Sequence, residues 1–244
     1  MLKAIILAAG KGTRMKSELP KVLHTIDNIP MAKYVGDAVR AAGTDEICYV
    51  IGYKKDEVKA ALSGDGISFA IQDEQLGTGH AVKCASSFIG EEGSVMVLCG
   101  DTPLITGETL KKFVSYHNEN GNAVTVLSAI IDNPEGYGHI IRDDKGEFVR
   151  SVEHKDATDE EKTVKEINAG MYVFDAKALK DALVLLKNDN AQGEYYLPDT
   201  LEIIKEKGLK AGAYVLDDKD EIMGVNTLEQ LAEAAAVIKA RSGK

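Results

Sequence analysis

The chain has 244 residues, 44% of them hydrophobic and 28% charged, and its formal net charge is −10 at pH 7. This length allows one large or two small domains, and the acidic balance argues against a surface for nucleic acid or for an anionic membrane. The sequence has neither an apolar run of membrane-spanning length nor a signal-peptide pattern, and its three cysteines are typical of core thiols in a reducing compartment. We therefore expect a cytoplasmic protein with no nucleic-acid or membrane partner.

The first predicted strand is followed at once by small residues and then by two cations. Residues 3–7 form an apolar run with two isoleucines, typical of a strand that is buried on both faces of a parallel sheet. The small residues, which leave backbone N–H groups accessible to a phosphate or a base, are Ala8, Ala9, Gly10 and Gly12. Arg14 and Lys21 then supply positive charge that suits phosphate. For the glycines alone, a tight turn without a ligand is the alternative.

This loop differs from two common phosphate-binding motifs. Residues 10–15 begin like G-x-G-x-x-G but have Met15 where the third glycine belongs, and G-x-x-x-x-G-K-[ST] does not occur in the sequence. The chemistry of the loop must therefore be inferred from its residue types.

Strands and helices alternate after the first strand. The pattern predicts strands over 46–51, 67–71 and 94–99, and helices over 31–42, 56–62, 81–88 and 106–117. Such alternation is typical of a parallel α/β sheet.

A second glycine-rich segment follows the third predicted strand. Gln72 carries an amide with donor and acceptor edges that could read a base. Gly77 and Gly79 expose backbone, and Thr78 is placed to be the N-cap of the next helix. A simple helix start is the alternative for this segment. For His80 we favour a polar role at the helix start over a catalytic role.

Asp101 comes directly after the most apolar predicted strand. An unpaired carboxylate there would be destabilising, and ligands in open α/β sheets bind outside the carboxyl ends of the strands. A divalent cation is therefore a sensible partner for Asp101, and a turn before Pro103 is the alternative.

The middle of the chain changes to strands and turns. Strands are predicted over 122–131, 139–142, 147–152 and 166–174, and the second and third form a hairpin. We interpret this region as a β-rich lobe inserted in the same fold. Its polar candidates are Gly138, Glu153 and Asn168, for which a turn or strand-end position is the alternative.

The last part of the chain returns to helices. Amphipathic helices are predicted over 176–186, 194–206 and from 226 to about 240, with a strand over 212–216. Asn226 stands at the start of the last helix, where an N-cap is the simplest interpretation.

Several strings together resemble one enzyme family. The strings L-A-A-G-K-G-T-R-M with P-K downstream, Q-D-E-Q-L-G-T-G-H and G-D-T-P-L resemble the nucleotidyltransferases that make nucleoside-diphosphate sugars. The strings G-Y-G, V-E-H-K-D-A, E-I-N-A-G and N-A-Q-G-E-Y-Y-L-P-D are similar to the bacterial branch that uses UTP and N-acetylglucosamine-1-phosphate. The resemblance implies a Rossmann-like, mostly parallel but mixed sheet flanked by helices, with a β-rich sugar-binding lobe.

The resemblance also implies a role for each candidate residue. The uridine would be held by Leu7, Ala8, Ala9, Gly10, Gln72, Gly77 and Thr78. Arg14 and Lys21 would bind the phosphates and act in catalysis. The amino sugar would be held by Gly138, Glu153 and Asn168. Asp101 and Asn226 would hold a Mg²⁺ cofactor. Cys99 departs from the pattern, since some members carry an aromatic residue there, and this affects a packing contact.

The implied chemistry needs no general base. A sugar-1-phosphate is already ionised near neutral pH because its second pKa is about 6. Two alternatives remain. A sister enzyme would use another sugar phosphate or dTTP, against which Glu153 and Asn168 argue. A nucleotide-sugar-binding protein without activity is opposed by Arg14, Lys21 and Asp101.

The expected organisation is a nucleotidyltransferase domain over 1–226 and a C-terminal helix over 227–244. Bifunctional members of the family continue into a β-helical acetyltransferase with a hexapeptide repeat, and this chain has no such repeat. Because the family assembles through that β-helix, we expect a monomer or a weak oligomer here.

Overall fold

A mixed β-sheet runs through the middle of the molecule. The structure is a computed structural model that describes residues 1–44, 46–190 and 192–242. The strands are Leu2–Ala8 (β1), Thr25–Ile26 (β2), Ile29–Pro30 (β3), Glu46–Ile51 (β4), Ile67–Ile71 (β5), Ser94–Cys99 (β6), Val124–Ile130 (β7), His139–Arg142 (β8), Phe148–Val152 (β9), Glu166–Asp175 (β10) and Ala211–Val215 (β11).

Helices connect most of these strands. The helices are Met31–Ala41 (α1), Lys55–Leu62 (α2), Thr78–Cys84 (α3), Ser86–Ile89 (α4), Gly107–Glu119 (α5), Ala176–Leu183 (α6), Asp199–Glu206 (α7) and Leu228–Ser242 (α8). Short 3₁₀ turns cover Thr13–Met15, Lys21–Leu23, Glu161–Thr163 and Lys219–Ile222.

The strand order makes the sheet mostly parallel. The main sheet runs β11-β7-β10-β6-β1-β4-β5. β10 is antiparallel to both of its main neighbours, β6 and β7, whereas β1 is parallel to β4 and β6, β4 to β5, and β7 to β11. The predicted mixed α/β sheet is therefore confirmed. The β8–β9 hairpin pairs with β10 of this sheet through His139 and Ile167, so the predicted lobe is continuous with the main sheet.

Alternate residues of β1 enter two different cores. Ile6 packs in a cluster with residues of α1, α2 and α5, such as Val35 and Phe113. Ile5 packs in a second cluster with residues of α3, α6 and α7, such as Leu179. Because both faces of the strand are covered, nearly every position in it must be apolar. The continuous apolar run at the start of the sequence has this physical cause.

Two predicted helix starts are wrong. α3 begins at Thr78 with Gly77 as its N-cap, so Thr78 is not the capping residue. Residues 81–88 are divided between α3 and α4. α7 begins only at Asp199, with Pro198 as its N-cap. The residues before it are not helical, and the Tyr195 N–H donates to the Leu76 carbonyl in the loop before α3 at 2.9 Å.

The predicted N-cap at Asn226 is also wrong. The Thr227 hydroxyl accepts a hydrogen bond from the Gln230 N–H, and Gln230 Oε1 accepts from the N–H groups of Asn226 and Thr227. This is a reciprocal capping box, and it leaves the Asn226 side chain free for other contacts.

The last helix packs onto the rest of the fold. Ala234 of α8 lies in a buried cluster with Ile26, Met31 and Leu104. Arg241 donates to the Leu104 carbonyl at 2.7 Å. Among the described residues, no helix combines the length and the apolar character needed to cross a membrane.

Candidate phosphate and metal site

The glycine-rich loop wraps around the base of Lys21. Gly12 has a left-handed φ of +70°, and a Cβ built there would lie 2.5 Å from Lys21 Cβ. Met15 is buried and anchors the loop to the core. The loop therefore requires glycine at position 12 both for its backbone conformation and for its contact with Lys21.

We expect Gly12→Ala to lower the free energy of unfolding by about 1–2 kcal/mol, because a left-handed residue with a Cβ is strained and because the methyl group would collide with Lys21. Gly10→Ala is the matched control, since a Cβ at Gly10 has nothing within 4 Å. Chemical denaturation of both variants measures the difference. Equal loss in the two variants would contradict this account of the loop.

Four candidate side chains from distant parts of the chain meet at one point. Lys21 Nζ donates to both Asp101 Oδ2 and Asn226 Oδ1. Arg14 Nη2 donates to the same Asn226 oxygen at 2.8 Å. The predicted metal ligands and the predicted phosphate-binding residues thus form a single cluster.

The backbone explains how Asn226 reaches this point. The Val225 N–H donates to the Asp101 carbonyl at 2.8 Å, which places residues 225–226 beside the end of β6. Asn226 Nδ2 donates to the Gly224 carbonyl at 3.2 Å. Because the amide nitrogen is used in this way, the oxygen of the side chain faces the two cations.

The cluster opens into a cavity that suits an anion. The cavity has a volume of about 270 Å³ and is lined by Leu7, Ala8, Gly10, Gly12, Thr13, Arg14, Lys21, Val22, Asp101 and Asn226. The side chain of Lys21 is only 12% exposed, and that of Asp101 is 25% exposed. Both groups are thus partly removed from water, and the ammonium of Lys21 offsets the cost that an unpaired carboxylate of Asp101 would carry.

The two oxygens in this cluster fit a hard divalent cation. Asp101 Oδ2 and Asn226 Oδ1 already share one positive group, the ammonium of Lys21. Within the described ranges, no group of three or more His, Cys, Asp or Glu side chains could hold a metal. A cation bound here would thus take only a few of its ligands from the protein. Mg²⁺ prefers such sites, in which phosphates and waters complete its octahedron.

The second glycine-rich segment is held by the segment before α7. A Cβ on Gly77 would lie 2.6 Å from the Tyr195 carbonyl. The Gly79 N–H donates to that carbonyl at 2.8 Å, and the Leu197 N–H donates to the Thr78 hydroxyl at 3.1 Å. Residues 195 and 197 therefore support Gly77 and Thr78, and the sequence did not indicate this role because no local pattern connects the two segments.

Gly52 brings the two glycine-rich segments together. A Cβ there would lie 2.7 Å from the Gln72 carbonyl and 3.0 Å from the Ala9 carbonyl. The close approach of these two chains requires glycine. This requirement has no local signal in the sequence, because the two segments that meet at Gly52 are distant from each other along the chain.

A second cavity adjoins the first and contains the three candidates from the lobe. It has a volume of about 190 Å³, shares Leu7 with the first cavity, and is lined also by Thr78, Cys99, Gly136, Tyr137, Gly138, Glu153, Asn168, Gly170, Tyr172, Leu197 and Pro198. The Asn168 N–H donates to the Gly138 carbonyl at 2.8 Å. A Cβ on Gly138 would lie 3.4 Å from Glu153 Oε1. The structure thus brings Gly138, Glu153 and Asn168 together.

The side chain of Asn168 is already engaged inside the protein. Its Nδ2 donates to Ser151 Oγ at 3.0 Å and lies 2.9 Å from the Tyr172 hydroxyl. Its Oδ1 accepts from the Gly170 N–H at 2.8 Å. These bonds hold a break in the β10 pairing between residues 168 and 172. Asn168 therefore shapes the wall of the second cavity, and its contact with a ligand stays a prediction.

One carboxylate, that of Glu153, lines the second cavity, and Asp199 directly follows Pro198 of the lining. Burial raises the pKa of Glu153, and the nearby charges of Asp199 and Asp156 raise it further. Burial is the largest cause that raises the pKa of Asp199 to about 6, and the charges of Glu202 and Asp156 contribute less. The carboxylate of Glu153 can accept hydrogen bonds from a ligand rich in hydroxyl donors.

Asp199→Asn should raise the free energy of unfolding at pH 8 by about 1 kcal/mol. This is less than the whole change in the pKa of Asp199 would give, because the group is only partly buried and solvent screens its charge. The pKa of Asp199 is higher in the folded protein than its ordinary value of 3.8. The folded state therefore binds the proton more tightly, and the stability contributed by this group falls as the pH rises from about 4 to about 6.

The gain from Asp199→Asn should consequently vanish below about pH 4. Urea denaturation of both proteins from pH 3.5 to pH 8 measures this difference. Asp144→Asn, in an exposed hairpin turn, is the control. A difference between Asp199→Asn and the parent that does not change with pH would show that the carboxylate is not destabilised by its surroundings.

The fold and the site together define a class of protein. Two glycine-rich segments lie at the carboxyl edge of an α/β sheet, two cations and two hard oxygens face one cavity, and a second cavity lined by the carboxylate of Glu153 adjoins it. This arrangement is typical of enzymes that bind a nucleotide beside a second polar substrate.

Comparison with known proteins assigns the family. The profile of the nucleotidyl transferase family matches residues 3–239. The chain belongs to this family, and the resemblance inferred from the sequence is confirmed.

Several curated relatives are similar along nearly the whole chain, and each is named bifunctional protein GlmU. Those of Caldanaerobacter subterraneus subsp. tengcongensis, Clostridioides difficile and Halalkalibacterium halodurans are 52%, 50% and 53% identical over 240, 239 and 239 residues, which is 98% of this chain. The chain spans about half the length, 52%, of each of these relatives.

A solved structure supports the fold. The crystal structure of a Bacillus anthracis protein, named as a glucose-1-phosphate thymidylyltransferase and bound to a sucrose, superimposes with a TM-score of 0.78 at 21% identity. The alignment covers 97% of this chain and 95% of that chain. At this identity, the likeness concerns the fold alone.

Proposed function

We propose that this protein joins UTP and N-acetylglucosamine-1-phosphate to give UDP-N-acetylglucosamine and pyrophosphate. The observation that carries the proposal is the cluster of Arg14, Lys21, Asp101 and Asn226 beside the second cavity, which contains Glu153. The similarity to GlmU proteins supports the choice of nucleotide and sugar.

The residues of the cluster answer the main obstacle of this reaction. An anionic sugar phosphate must approach the α-phosphate of a nucleotide in line with the leaving pyrophosphate, and repulsion between the anions opposes this approach. Arg14 and Lys21 would bind the phosphates and stabilise the charge that develops on pyrophosphate. No general base is required, because the attacking phosphate is already ionised near neutral pH.

Family membership implies a divalent metal requirement, and we propose Mg²⁺ as the metal. Asp101 and Asn226 would hold it. When bound, the metal would neutralise the attacking phosphate and the α-phosphate and orient them toward each other.

The remaining candidates would bind the two ends of the product. The uridine would rest on Leu7, Ala8, Ala9, Gly10, Gln72, Gly77 and Thr78. Glu153 would accept hydrogen bonds from sugar hydroxyls, with Gly138 leaving room for the ring and Asn168 shaping the wall. Residues 1–226 would form the nucleotidyltransferase unit, with the C-terminal helix packed against it. In the form present here we propose a cytoplasmic monomer or weak oligomer.

One assay tests the proposal. Pyrophosphate release is measured for UTP, dTTP and CTP, each with N-acetylglucosamine-1-phosphate, glucose-1-phosphate and galactose-1-phosphate. We expect the highest rate for UTP with N-acetylglucosamine-1-phosphate. A higher rate with dTTP or another sugar phosphate would assign a sister enzyme. Binding of UDP-N-acetylglucosamine without any pyrophosphate release would indicate a binding protein.

A further inference from the structure

We propose that His80 is a positioning residue for base selection, because it fixes the side-chain amide of Gln72 in one orientation. The proposal rests on the proposed function, in which Gln72 faces the base of the nucleotide. It goes beyond that function by assigning the role of choosing between bases to a residue that does not itself contact the nucleotide.

The hydrogen bonds of Gln72 determine which end of its amide is available. Its Nε2 lies 3.1 Å from the Gly77 carbonyl and 3.1 Å from His80 Nδ1. A carbonyl can only accept, so the atom beside it must be the amide nitrogen. The second N–H of that nitrogen then points to His80, whose Nδ1 must accept.

The surroundings of His80 agree with this assignment. If Nδ1 accepts, a neutral His80 carries its hydrogen on Nε2. His80 Nε2 lies 3.8 Å from Cys84 Sγ, one helical turn further along α3, and sulfur is a weak acceptor. Gln72 thus donates to His80, and His80 donates to Cys84, so the three contacts are consistent with one tautomer of His80.

Only the oxygen of the Gln72 amide is left for a ligand. Gln72 is 4% exposed. In the part of the chain that the structure describes, the buried side-chain atoms without a partner belong to His24, Thr44 and Asn122. Gln72 Oε1 therefore retains access to solvent. Through Gly52, Gln72 lies against Ala9, at the end of β1 where the nucleotide is proposed to bind.

This orientation discriminates between bases by their donors. N3 of uracil and of thymine carries a hydrogen and donates, whereas N3 of cytosine accepts. An acceptor fixed in the protein bonds to the first two bases and faces the lone pair of the third. A bound base would cover the Gln72 oxygen, and a polar group that is covered without a partner is costly. The Gln72 oxygen therefore favours UTP and dTTP over CTP. The choice between UTP and dTTP must come from other residues.

The test compares substitutions that keep or remove the acceptor. In His80→Asn, Oδ1 can take the place of Nδ1. In His80→Leu the acceptor is lost, and in His80→Gln the oxygen is carried near the position of Nε2. Steady-state kinetics with UTP and CTP give kcat and KM for each variant, and thermal denaturation shows that each is folded. Cys84→Ala, which removes only the weak contact to Nε2, is the control.

We expect His80→Leu and His80→Gln to raise KM for UTP and to lower the UTP-to-CTP ratio of kcat/KM by about tenfold, with kcat changed by less than about threefold. His80→Asn should restore most of that ratio, and Cys84→Ala should retain it. An unchanged ratio in His80→Leu and His80→Gln would overturn the proposal. So would equal loss in His80→Asn and His80→Gln, because His80 would then be a packing residue only.

Failure of the proposed function is distinguishable from failure of this inference. If the parent protein releases no pyrophosphate from any nucleotide, the same variants are compared by calorimetry with UDP and CDP as probes. A preference for UDP that is lost in His80→Leu and kept in His80→Asn would still support the orienting role. A preference that is independent of residue 80 would overturn it.

Discussion

Arg14→Ala and Lys21→Ala should each lower turnover by about two decades or more, because a lost charge-assisted contact to a phosphate in the transition state costs about 3–4 kcal/mol. Both side chains reach the oxygen of Asn226 in the first cavity. These contacts are made with the phosphates of the bound nucleotide. Removing either side chain should therefore lower kcat while the protein remains folded.

The two variants should differ in stability. Lys21 is largely buried and pairs with Asp101, whereas the hydrogen bond of Arg14 is exposed. Removing Lys21 leaves a half-buried carboxylate without its partner, which we expect to cost about 1–3 kcal/mol of unfolding free energy. Removing Arg14 should cost less than about 0.5 kcal/mol.

A lysine in the same loop provides the control. Lys11 lies over the Tyr53 ring at 5.4 Å and is exposed. Lys11→Ala removes the same charge from the same loop and should keep turnover within about threefold of the parent. Pyrophosphate release and urea denaturation test all three variants. Parent-like turnover in Arg14→Ala or Lys21→Ala would refute the phosphate role of that residue.

The fold was predictable where the signal is local. Strands 46–51, 67–71 and 94–99 were predicted with the bounds that the structure gives to β4, β5 and β6, because each is an apolar or alternating run closed by turn residues. The direction of β10 was not predictable in this way. It depends on which strands β10 lies between, and no run of adjacent residues encodes strand order.

The helix starts at Thr227 and Asp199 are each marked by a local signal in the sequence. The capping box of Thr227 and Gln230 is visible in the sequence as T-x-x-Q directly after Asn226, so the correct helix start had a local signal. Pro198 likewise signals that a helix begins after it, because the residue before a proline is driven to extended conformations. By contrast, the close approach at Gly52 depends on two segments that are distant in sequence, so it left no local signal.

The sequence suggested the members of the cluster one at a time and without the contacts between them, and their roles stay predictions. Arg14 and Lys21 were predicted from the loop after the first strand and Asp101 from the end of another strand, and the sheet places Lys21 beside Asp101 although they are 80 residues apart. No pattern in the sequence indicates that the ammonium of Lys21 contacts both predicted metal ligands. It depends on the path of the 225–226 segment along β6, which side-chain chemistry alone does not determine.

This contact bears on how the metal should bind. Lys21 Nζ is bonded to both Asp101 and Asn226, the two oxygens proposed for the cation. A divalent ion entering without nucleotide must displace an ammonium and then accept only two protein oxygens. A nucleotide phosphate would attract Lys21 and supply further oxygens to the metal. We therefore expect weak binding of Mg²⁺ alone and much tighter binding together with UTP or UDP-N-acetylglucosamine.

Asp101→Asn should abolish most turnover, by about three decades, because it keeps the shape of the side chain and removes the charge that would hold the cation between two anionic substrates. UDP-N-acetylglucosamine should still bind measurably, since Gln72, Glu153 and Asn168 are unaltered. Calorimetry with and without Mg²⁺ measures nucleotide-sugar binding, and the pyrophosphate assay measures turnover. In the parent, Mg²⁺ should strengthen binding, and in the variant this effect should be largely lost. Asp144→Asn serves as the exposed control. Normal turnover of Asp101→Asn, or full activity of the parent in excess chelator, would make Asp101 only the turn residue that pairs with Lys21.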